Sequence, residues 1–217
     1  MKIVKRIITV LLIFTGLLII ASFFTPKSLK IEKQIMINRA TEEVFTEVTD
    51  FRNWTVWSYW FKIDPEMTND FSEEMGEVGS FNEWKSDHDY VGDGKQTVIE
   101  ISPSSYIKMK MEFGNMESND FAIWKFSTND DGSTKVVWSF EGQEMPFYFR
   151  LMSALFMKGM IEDSYENSLQ NLKDYLENKP MPVAVTMPSE LSIETTEAEM
   201  ILSIIDSTNA EGISDKL

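Results

Sequence analysis

Apolar and polar positions change rhythm several times along this chain. From Ile7 to Phe24 no residue is charged and most are Ile, Leu, Val or Phe. As a helix rising about 1.5 Å per residue, that run nearly spans a hydrocarbon core of ~30 Å. Residues 29–38 then mix charged and aliphatic side chains in a strand-like run that ends at Asn38-Arg39-Ala40. Thr41-Glu42-Glu43 reads as a helix start with acids in the first turn, and Val44, Phe45 and Val48 share its buried face. A second helical piece, rich in tryptophan, runs from Phe51 to Phe61 and is closed by Pro65.

Turn signals at Glu77-Val78-Gly79, Gly92-Asp93-Gly94, Pro103-Ser104-Ser105, Gly114-Asn115 and Asn129-Asp130-Asp131-Gly132 cut the next stretch into runs of strand length. In the clearest, Ile107, Met109, Met111 and Phe113 alternate with Lys108, Lys110 and Glu112, as a half-buried antiparallel strand requires. Ala122, Trp124 and Phe126 repeat the pattern, as do Val136, Trp138 and Phe140. After Pro146 the spacing becomes helical, with Phe149, Phe156, Met160, Ile161, Tyr165, Leu169, Leu172 and Leu176 on one stripe. Only the oily face of the sheet offers that stripe a partner. The pattern predicts an α+β fold: a curved antiparallel sheet wrapped around a long C-terminal helix, preceded by one transmembrane helix.

Charge sharpens the division at the anchor. Four of the 20 basic residues lie at or before Lys27 and all 35 acidic ones after it, so residues 28–217 carry 16 cations against 35 anions, a net −19. So negative a surface repels phosphate backbones, which argues against nucleic acid as a partner and leaves membrane contact to residues 7–24. Lys2, Lys5 and Arg6 precede the apolar run and Thr25-Pro26 ends it. The positive-inside tendency keeps the short N-terminus in the cytoplasm and places the following domain outside it, against a smaller pull from Lys27, Lys30 and Lys33. A cleaved signal peptide fits less well than an anchor, because Ala21-Ser22 is followed by Phe23-Phe24 with no small-x-small cut site. The absence of cysteine excludes disulfides, thiol nucleophiles and cysteine-ligated zinc.

Several segments together resemble one superfamily. They are Ile37-Asn38-Arg39-Ala40-Thr41-Glu42-Glu43-Val44-Phe45, Asp50-Phe51-Arg52-Asn53-Trp54 with Trp57-Ser58 and Trp60, Val91-Gly92-Asp93-Gly94-Lys95, Gly132-Ser133-Thr134-Lys135-Val136, and Leu169-Gln170-Asn171-Leu172-Lys173. With this order of elements they are similar to the SRPBCC, or START/Bet v 1-like, superfamily and within it to the polyketide cyclase/dehydratase-like branch. The family's alanine-proline pair before the first helix is Ala40-Thr41 here; proline there is a convenient helix opener and little more. The resemblance covers residues 29–178 and implies a helix-grip fold, a hydrophobic ligand and a bacterial source, but names no reaction, because this fold hosts many functions. Residues 195–217 are similar to the opening of a GyrI-like effector-binding domain. The expected organisation is a cytoplasmic stub and anchor (1–27), a helix-grip domain (28–178), and a linker with an incomplete, poorly packed GyrI-like tail (179–217).

Reactive constellations are scarce. His88 is the sole histidine and sits among polar turn residues in Asp87-His88-Asp89, so no metal site, cofactor or catalytic residue is assigned. Asp87-x-Asp89 begins like a calcium loop but lacks ligands at Val91 and Val98. Gly92-Asp93-Gly94-Lys95 lacks the spacing of a phosphate loop and reads as a hairpin turn. Glu83, Lys85 and Glu100 are expected on a solvated strand face. Aromatic and methionine side chains carry more information. Trp54, Trp57, Phe81, Trp84, Met109 and Met111, with Trp124, Trp138, Phe140, Phe149, Phe156 and Met160, fall on faces expected between sheet and final helix. They either fill a tight core or line a ligand cavity. Three functions compete: a membrane-anchored binding module for a hydrophobic small molecule or lipid, which is favoured; a cyclase- or dehydratase-type enzyme, which needs convergent buried polar groups; and a scaffold with a filled core. No protein partner is identified.

Overall fold

The apolar run folds as one helix, α1 (Lys2–Phe23), in the computed structural model, which describes residues 2–114 and 116–180. Its mean hydropathy reaches 2.4 and no residue of that window is buried, so α1 is long and apolar enough to cross a membrane. The tail expected to resemble a GyrI-like domain lies outside the described residues from position 181 on.

After α1 come β1 (Lys30–Ile37), α2 (Thr41–Thr49), a 3-10 turn (Phe51–Asn53), and the short helices α3 (Trp54–Trp57) and α4 (Tyr59–Ile63). The strands β2 (Thr68–Phe71), β3 (Phe81–Lys85), β4 (Gly94–Ser102), β5 (Tyr106–Phe113), β6 (Met116–Thr128) and β7 (Thr134–Glu141) follow. The chain then forms α5 (Phe147–Met152), a π-helical turn (Ser153–Met157) and α6 (Lys158–Asn178). All seven strands pair antiparallel in the order β1-β7-β6-β5-β4-β3-β2. Register shifts between Val98 and Glu100 and between Met111 and Phe113 are bulge-like irregularities that bend strands, and they help curl the sheet.

The strand period of two decides which residues face the core. Ile31, Ile35 and Ile37 of β1 face inward across from Phe140, Val136 and Thr134. Val98, Ile107, Met109, Ala122, Trp124 and Trp138 continue that face and are all buried. The convex face carries paired charge: Glu83 lies 3.3 Å from Lys95, and Glu100 lies 3.4 Å from Lys108. These carboxylates therefore sit on the solvated side. α6 crosses the concave side against β1, α3 and α4, and buries Tyr165, Leu169, Leu172 and Leu176.

Polar groups fix the far end of α6. The buried Arg39 donates from Nε to the Leu176 carbonyl at 2.7 Å, and from Nη2 to the carbonyls of Glu177 and Lys179. It thereby satisfies acceptors that a helix C-terminus leaves open. Lys179 adds an ion pair to the buried Glu47 at 2.9 Å. Ser168 accepts the Tyr59 N–H at 2.9 Å, and the Asn171 side-chain amide donates to the Trp57 carbonyl at 3.0 Å, so α6 also binds the ends of α4 and α3.

Candidate functional site

The concave face holds a stack of aromatic rings. Trp138 lies between Trp124, at 4.2 Å centroid to centroid, and Tyr165 of α6, at 3.7 Å, with both pairs nearly parallel. Trp54 and Trp57 approach from α3, 5.7 and 6.3 Å from Trp124 with rings edge-on. Trp60 meets Trp138 and Tyr165 edge-on from α4. Strand alternation presents Trp124 and Trp138 side by side, because they are direct partners in the β6/β7 register.

The hydrogen bonding of these rings is unequal. Trp54 donates its indole N–H to the Val48 carbonyl at 2.9 Å. The indole nitrogens of Trp57, Trp124 and Trp138 are buried with no hydrogen-bond partner among the described residues. The side-chain oxygens of Asn69 and Asn82 share that condition. An unpaired buried donor or acceptor costs about 1–3 kcal/mol. Asn82, Gln96 and Met111 are neighbours across β3, β4 and β5 on the concave side, beside Trp84 and Gly94. A methyl group at Gly94 would overlap the Trp84 indole and lie 2.8 Å from the Glu112 carbonyl, so only glycine lets that indole lie flat on β4.

The expected lining residues separate into groups. Trp54, Trp57, Met109, Trp124, Trp138 and Phe140 are buried together in the core. Trp84 and Met111 are half-buried on the concave side. Phe149 and Met160 are half-buried in the last helical stretch. Two residues stand apart. Phe81 takes the convex face, where the Lys95 ammonium lies 4.2 Å from its ring centroid. A regular strand cannot point residues 81 and 84 to one side. Phe156 is 70% exposed, because the π turn puts α5 out of phase with α6 and breaks a stripe drawn at one helical period.

Asn69, Asn82 and Gln96 were missed in the sequence, where polar residues on a short strand look solvated. Alternation from Trp84 and the glycine opposite it would have placed Asn82 inward. The helical spacing marks Tyr165 as a core position and no more. Burial pushes its phenol far above the ordinary value, so it remains a neutral hydrogen-bond donor at any physiological pH. His88 lies in the turn before β4, its Nδ1 accepting the Tyr90 N–H at 3.2 Å. Among the described residues no three metal-ligating side chains gather.

Solved structures share this architecture. The Aha1 protein of Colwellia psychrerythraea, solved as a dimer in solution, is similar with a TM-score of 0.51 and 20% identity, over 69% of this chain and 97% of that one. A Mesorhizobium loti protein gives 0.52 with 14% identity, over 70% and 100% of the two chains. A Rhizobium leguminosarum protein gives 0.52 with 16% identity, over 70% and 96%. At these identities the likeness establishes the fold alone. No curated protein matches the sequence. The model of one family, described as polyketide cyclase / dehydrase and lipid transport, matches residues 28–177. The match takes in every element from β1 to the last turn of α6, and the chain belongs to that family.

Proposed function

We propose that this chain is a membrane-anchored binding module that holds a hydrophobic small molecule or lipid against the concave face of its sheet, outside the cytoplasm, without catalysis of its own. The observation that carries the reading is the set of buried polar atoms without partners: the indole N–H groups of Trp57, Trp124 and Trp138 and the Asn82 oxygen, set among aromatic and methionine walls. Such unpartnered groups suit a largely apolar ligand carrying one or two polar groups that enters between the sheet and α6, where its hydrogen bonds would offset the cost of those atoms. The family's description as a home of lipid transport supports the ligand class. The apolar α1 supports the anchor.

The test is native mass spectrometry of the full chain released from its own membranes, with tryptophan emission as a second readout. A stoichiometric apolar mass that Trp138→Phe and Asn82→Leu each weaken supports the binding module. An unladen protein whose emission ignores added hydrophobic dyes overturns it and leaves a filled-core scaffold.

A further inference from the structure

The segment between β7 and α6 has a composition unlike the rest of the domain. Residues 145–161 contain no acid and two bases, Arg150 and Lys158, in a chain that carries 35 acidic residues. It is also where large apolar side chains lie open: Tyr148 is 71% exposed and Leu155 64%. Its helical turns present two faces. One face packs against the last turns of α1, where Phe147 stacks on Phe23 at 5.6 Å, and encloses an apolar cleft of about 360 Å³ with Leu18, Ile19, Tyr148, Leu151, Leu155 and Phe156 on its walls.

The other face borders a second cleft, of about 250 Å³, at the exit of α1. Lys30, Arg150 and Lys158 line it together with Ser28 and Ser153. Arg150 is held by a 2.9 Å bond from Nε to the Met145 carbonyl, and Met145 in turn donates its N–H to the Lys27 carbonyl at 2.8 Å. Lys30 and Arg150 form no ion pair among the described residues, and Lys158 pairs only with the half-buried Glu162 at 3.7 Å. Ser153 is 1% exposed, yet its hydroxyl has no hydrogen-bond partner among the described residues. Ser164, one helix further on, returns its hydroxyl to the Met160 carbonyl at 2.8 Å.

We infer that these two clefts form one site for an anionic phospholipid of the bilayer that α1 enters: the phosphate rests among Lys30, Arg150, Lys158 and the Ser153 hydroxyl, and an acyl chain lies in the apolar cleft beside α1. Membrane lipid is the occupant because the site is continuous with α1. The walls from Thr15 to Ser22 cover about 10 Å of helix rise, the depth to which an interfacial helix sinks below the headgroups. The strongly acidic remainder of the domain turns this basic cluster toward an anionic surface. The inference rests on the proposed anchoring by α1 and adds to it a lipid site distinct from the concave face.

The full chain is reconstituted into nanodiscs of phosphatidylcholine with or without phosphatidylglycerol, and retained lipids are counted by native mass spectrometry. One phosphatidylglycerol should remain bound in preference to phosphatidylcholine. Lys30→Gln, Arg150→Gln and Lys158→Gln should each weaken retention about fivefold, and Ser153→Ala should weaken it less, with circular dichroism unchanged. Retention that ignores all three charges overturns the inference, as does displacement of the lipid by inorganic phosphate at equal concentration. Extraction in alkaline carbonate separates the two readings. A chain that leaves the membrane removes the anchor, whereas a chain that stays but shows no charge-dependent lipid removes only this site.

Discussion

The two ends of the final helical stretch differ in almost every physical respect. At the C-terminal end, Arg39 ties three carbonyls and Lys179 pairs with the buried Glu47. At the N-terminal end, the π turn and α5 expose Tyr148, Leu155 and Phe156 and bury the unpartnered Ser153. The C-terminal end uses directional bonds to hold α6 at one place on the sheet. The N-terminal end has few such bonds and packs against a membrane-length helix. A helix fixed at one end and loosely held at the other can keep its aromatic stack in register while its loose end opens locally.

The sharpest way to break that contrast is Arg39→Ala, which strips three buried or half-buried carbonyls of their charged donor. It should cost about 3 kcal/mol of stability, measured by denaturant unfolding of the full chain in detergent. A loss below 1 kcal/mol would mean the C-terminal end is not the fixed one. Ser168→Ala comes next. It leaves the Tyr59 N–H without its acceptor and should cost about 1–2 kcal/mol in the same measurement.

Glu177 gives the third test. Burial alone would raise its carboxyl, but the Lys173 ammonium at 2.6 Å, the Asn38 backbone N–H at 2.7 Å and Arg39 outweigh that and hold it below the usual carboxylate value. Because the folded value is depressed, its contribution is present above the ordinary glutamate pKa of 4.5 and is lost as the pH falls through the lower folded value. The acid limb of a stability-pH curve should therefore be shallower for Glu177→Gln than for the native chain. Identical limbs would remove this carboxylate from the lock. The smallest effect belongs to the loose end. Leu155→Ser should shift stability by less than about 0.5 kcal/mol, while hydrogen exchange of 147–157 stays faster than that of 165–176 in both proteins. Equal protection of the two segments would erase the comparison.

Much of this was legible before any coordinates. The alternation of Ile107, Met109 and Met111, the repeats through Trp124 and Trp138, and the spacing of Tyr165, Leu169, Leu172 and Leu176 each report a local period that the backbone imposes on side-chain direction. The uncharged run before Phe24 reports a length and an apolarity, which need no neighbours to interpret. A sequence therefore determines which elements exist and which face of each is oily.

The candidate site was legible only in part. The odd spacing of Phe81 and Trp84 puts them on opposite faces of β3, and the π turn interrupts the helical stripe that reaches Phe156. Asn82 became interior because its neighbours across the sheet are Gln96 and Met111, and that register joins residues far apart in the chain. Which cations gather at the exit of α1 likewise depends on the meeting of Lys30 with residues more than a hundred positions later. Local periodicity is a property of the backbone and travels with the sequence. Hydrogen-bond satisfaction and charge clustering are properties of tertiary juxtaposition, because directional bonds and short-range fields exist only once distant segments meet.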